Sequence, residues 1–159
     1  MSLTTAQKAT LKAAIQADST LNEMYVAGNY GPLAEALNAE VVPAFVVWRT
    51  SVSQDEIMLN GFDWVRVDNL TVGKARIWEW LFGNDAKVIN PSKSNVRAGI
   101  DEVWKGTAAD LAVRAAVYTH CKRNATVLEK IFATGTGTDV SPATMTVDQP
   151  IGWNEIGEL

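Results

Sequence analysis

"TAADLAVRAAVYTHCKRNATVLEKIFATG", residues 107–135, is the stretch on which the fold turns. Thr107 and Asp110 have the spacing of a helix N-terminus, where side chains satisfy backbone N–H groups that have no partner in the helix. Leu111, Ala115, Tyr118, Cys121, Ala125, Leu128 and Phe132 then recur at helical spacing as one apolar stripe. Gly135 supplies the stop. The pattern predicts a single helix over about 108–133, near 39 Å long at about 1.5 Å per residue. Such a helix would be the spine of a mainly α protein, a helical bundle built around it.

Upstream, shorter helices with their own start signals are expected to pack on that spine. Thr4 and Gln7 form a capping box ahead of Leu11, Ala14 and Ile15, giving a helix over about 5–17. Thr20 and Glu23 repeat the signal more weakly, and Pro32 opens a helix running to about Asn38. "VVPAFVVWRTSV" is the strongly β-prone run, but Pro43 argues against a central strand, so an extended segment near 41–50 is expected. Ser53 and Glu56 form another box, with Gly61 as the closing residue. "FDWVRVDNL" reads as a turn or short extended piece. Leu70, Ile77, Trp78 and Leu81 share a helix face, on which Gly73 would allow close packing. Val96, Ile100, Val103 and Trp104 share a face on a further helix opened by Pro91.

Downstream, "TGTGTDVSPATMTVDQPIGWNEIGEL" has neither helix period nor the density of a core strand. It divides the chain into a helical body, residues 1–133, and an extended C-terminal arm, residues 134–159. Residues 131–159 hold Asp139, Asp148, Glu155 and Glu158 and no Lys or Arg, while the rest of the chain balances 14 bases against 14 acids. An acidic arm on a neutral body suits a basic partner surface, including one on a neighbouring copy; a tail folded back on its own domain is the equal alternative.

Composition excludes several classes. One Cys and one His leave neither an internal disulfide nor a Cys- or His-rich metal site. A net charge of −4 argues against a general nucleic-acid binder. No run approaches the roughly 20 apolar residues that cross a bilayer, and the N-terminus lacks a signal-type apolar run, so a cytoplasmic setting is expected. "GTGT" at 135–138 lacks the spacing and the following Lys of a phosphate loop. His120 and Cys121 are neighbours on the helix and point about 100° apart, so they form no nucleophile–base pair. No catalytic residue, metal or cofactor is indicated. Six Trp is high for 159 residues; some are expected at subunit interfaces, where Trp is enriched, with Trp78, Trp80 and Trp104 equally readable as core.

The runs "LTTAQKATLKAAIQAD", "LAEALNA", "VWRTSV" (47–52), "NPS" (90–92), "IDEVWKG" and "FATGTGTDVSP" (132–142) together resemble a family of tailed-bacteriophage structural-module proteins, of the head–tail connector or adaptor kind. The resemblance spans nearly the whole chain and carries no catalytic residues. It implies a structural virion protein of the phage neck: an adaptor subunit between portal and tail, assembled in the host cytoplasm. It implies a homo-oligomeric ring of about twelve copies, with portal, neck and tail proteins as partners. Genome DNA would pass through without sequence-specific binding, and no membrane is involved. The alternatives are another neck or head-completion assembly protein, or a small enzyme without a recognisable motif. On the adaptor reading the arm docks on the portal or a neighbouring subunit. Its partner-binding candidates are Thr134, Gly135, Gly137, Val140, Pro142, Thr144, Val147, Trp153 and Ile156. Arg114, Lys122 and Arg123 on the long helix are subunit-interface candidates. Deleting residues 134–159 should then leave a folded body unable to join the assembly.

Overall fold

The computed structural model describes residues 3–59 and 62–159. The expected closure of a helix at Gly61 lies outside them. The chain forms two units: one joins the N-terminal stretch up to Val47 with Asn124–Leu159, and the other is Trp48–Arg123.

The first unit begins with α1 (Thr5–Ala17), started by the Thr4–Gln7 box: Gln7 N donates to Thr4 Oγ1 at 3.3 Å and Thr4 N to Gln7 Oε1 at 2.9 Å. Asp18 breaks the helix and restarts it, its carboxylate accepting from Thr20 N and Leu21 N at the head of α2 (Ser19–Val26). After α3 (Tyr30–Asn38), the chain leaves through β1 (Val46–Trp48). Leu11, Ile15, Leu33 and Leu37 are fully buried at the centre of this unit. Each such side chain contributes about 1.5–3 kcal/mol by leaving water.

The second unit contains α4 (Gln54–Leu59), α5 (Trp64–Asp68), α6 (Val72–Leu81), α7 (Ser94–Val103) and α8 (Ala108–His120). Strands β2 (Val52–Ser53) and β3 (Val88–Ile89) pair antiparallel, Val52 opposite Ile89. The Ser53–Glu56 box starts α4, with Ser53 N donating to Glu56 Oε2 at 3.0 Å. The centre is aromatic: Trp78 lies 5.1 Å from Phe82 and 5.4 Å from Trp104 between ring centroids, and Phe62 stacks on Trp78 at 5.9 Å. "FDWVRVDNL", expected as a turn or extended piece, forms α5 because the Asp63 carboxylate accepts from Val65 N and caps it. Close packing of α6 on α7 is provided by Gly99, whose missing Cβ leaves room for Leu81, while Gly73 faces open space.

The expected helix over 108–133 does not form. α8 ends at His120, β4 (Lys122–Asn124) follows, and α9 (Val127–Ile131) starts afresh before β5 (Ala133–Thr134). Two causes act together. Thr126 and Glu129 make a capping box of their own, with Thr126 N to Glu129 Oε2 at 2.9 Å and Glu129 N to Thr126 Oγ1 at 3.2 Å. The residues between are drawn into β4, which pairs with β1; the Cys121 carbonyl accepts from Arg49 N, and Ala125 N donates to the Phe45 carbonyl. The long stripe dissolves accordingly: α8 turns Val113 and Val117 inward and leaves Leu111 and Ala115 exposed. A bundle around one long C-terminal helix is thus replaced by a mixed fold. Among the described residues it has ten helices interleaved with short two-stranded sheets.

The extended arm of that expected architecture is corrected too. β5 pairs antiparallel with β6 (Thr144–Met145), Ala133 opposite Met145 and Thr134 opposite Thr144. Val46 N donates to the Gly137 carbonyl at 2.7 Å, and Ala143 N to the Val46 carbonyl at 2.9 Å. Ala143 and Met145 join Val41, Val47 and Ala125 in a small apolar cluster, while Val147, Ile151 and Ile156 enter the centre beside Leu33 and Leu128. The segment closes with α10 (Trp153–Ile156). The hydrogen bonds expected to reach a partner are thus made within the first unit.

Candidate interaction surfaces

The polar groups with the strongest contacts serve the fold. Asp110 caps α8 through Thr107 N at 3.0 Å and pairs with Arg66 at 2.6 Å. The Arg66 guanidinium, then the Thr107 N–H, hold its carboxyl well below the usual carboxylate range. Arg49 bridges Glu56 at 2.8 Å and the His120 carbonyl at 3.1 Å, and the Glu56 carboxyl is lowered by the Ser53 N–H first and by Arg49 second. Tyr118 donates to Asp101 at 2.8 Å, and burial foremost raises its phenol. Cys121 is fully buried, and burial pushes its thiol up to about 12, so at neutral pH it is an unreactive core group. Among the described residues, no three His, Cys, Asp or Glu side chains gather as a metal site would need. No helix among them is long and apolar enough to cross a membrane.

The arm candidates fall on two sides of the surface. Val147 and Ile156 point into the first unit and hold the segment down. Thr134 lies exposed in β5, and Thr144 opposite it and Pro142 are half-buried. Gly135 and Gly137 have φ of +126° and +66°. At Gly137 any Cβ would overlap the Phe45 ring, so this glycine lets the 133–145 hairpin close on Phe45. Val140 and Trp153 face solvent, Trp153 at 66% exposure. Of the basic candidates, Arg114 lies 3.5 Å from Asp101 within its own unit, and Lys122 and Arg123, half-buried in β4, also have partners within the structure.

Sequence reasoning missed the outer face of α6, where exposed apolar Val72 and Trp80 lie beside exposed Arg76 and Glu79. Trp78 is turned inward with Ile77 and Leu81 beside it, which places Val72, Arg76 and Trp80 along the opposite side at four-residue intervals. Val72 is 76% and Trp80 73% exposed, and Arg76 is exposed. Trp64 and Val65 of α5 are exposed in the same unit, with Trp64 edge-on to Phe62 at 5.3 Å. The signal was available: a tryptophan two residues from the inward Trp78 on a helix cannot share its face. Of the three tryptophans read as possible core, Trp78 and Trp104 are buried and Trp80 is not.

The division into units also redistributes charge. Trp48–Arg123 holds eleven of the fourteen Lys and Arg against nine Asp and Glu, a net of +2. The other unit holds three against nine, a net of −6. The acidic surplus therefore belongs to a whole unit and not to the tail alone. No family model, curated protein or solved structure matches the chain.

Proposed function

We propose that the protein is a structural subunit of a tailed-phage neck, a head–tail connector of the adaptor kind that works by binding copies of itself, the portal and neighbouring neck proteins. The observation that carries this reading is the placement of tryptophan. Trp64, Trp80 and Trp153 stand in solvent, two on one unit and one on the other. Large aromatic rings left in water on an otherwise well-buried chain are the composition of interface cores. The resemblance of runs 47–52, 90–92 and 132–142 to phage structural-module proteins supplies the setting. The state of Cys121 and Asp110 favours assembly over catalysis, since both are committed to the interior and to a cap.

In this reading the segment 134–159 is part of the body that docks. Val147 and Ile156 hold it in place, and Trp153 and Val140 are the residues offered to a partner. Cryo-electron microscopy of purified virions, with mass spectrometry of the same particles, tests the proposal. A ring of this chain between portal and tail is expected. Particles that contain no copies of it would refute the role.

A further inference from the structure

We draw no further inference here: the strongest candidate, the outer face of α6 where exposed Val72 and Trp80 lie beside exposed Arg76 and Glu79, carries charges of both signs that select no partner, and nothing in the structure shows what covers it.

Discussion

Ile156 and Trp153 lie three residues apart on α10, and the structure assigns them opposite fates on truncation. Ile156 is fully buried beside the first unit's leucines, whereas Trp153 is largely in solvent. Ile156→Ala removes three carbons from a filled interior. At about 0.8 kcal/mol each this costs about 2.4 kcal/mol, and the cavity left behind raises the loss to about 3–4 kcal/mol. Trp153→Ala removes a larger group but should change stability by no more than about 0.5 kcal/mol. Because two units can open separately, the readout is hydrogen exchange followed peptide by peptide. Ile156→Ala should speed exchange in α1 and α3 and leave α6 and α7 unchanged, and Trp153→Ala should leave all four unchanged. If both variants exchange like the parent, residues 134–159 are a free arm and the account of their burial is wrong. By the same reasoning, deleting 134–159 strips Ala143, Met145, Val147, Ile151 and Ile156 from the interior. It should unfold the first unit, contrary to the folded body expected from sequence.

Asp110 makes stability depend on acid. Its folded carboxyl lies below the ordinary value of 3.8, so its contribution is complete above that pH and is lost as pH falls through and below it. Asp110→Asn should therefore lower stability at neutral pH and flatten the acid limb of a pH–denaturation series. Cys121, with its thiol raised to about 12, should resist iodoacetamide at pH 8 in the native chain and react promptly in denaturant. Gly137→Ala should destabilise by about 1–3 kcal/mol, since it forces a strained φ and overlaps Phe45. Gly73→Ala, in open space on α6, should stabilise by about 0.5 kcal/mol in chemical denaturation.

Start signals that couple a side chain to a backbone N–H three residues away were legible because both partners are local. Thr4–Gln7, Ser53–Glu56 and Thr107–Asp110 all form as the sequence implied. Thr126–Glu129 is the same kind of signal, and it was masked by an apolar stripe that runs through it in helical register. That stripe contains true core residues, Cys121, Ala125, Leu128 and Phe132. They are buried from the end of α8, a loop, and a new helix with the residue that follows it, so periodicity identified burial and mistook its cause. For the tail, the extended of the two equal readings fails, and for the opposite reason. Thr, Gly and Pro spaced without a period looked too sparse to pack, yet two-residue strands suffice where another segment already presents an edge.

The sequence by itself determined the local grammar: where most helices begin, which residues are apolar enough to be core, that Cys121 is interior, and that acid outweighs base. Tertiary structure decided the rest, because each outcome depends on partners far apart in the chain. β4 exists because β1 lies alongside it. Ile156 is core because the residues that cover it, Leu33 and Leu37 among them, come from the other end of the chain. The separation of a −6 unit from a +2 unit appears only when both termini fold into one body, since charge along a chain becomes a surface field only after the chain has chosen its neighbours.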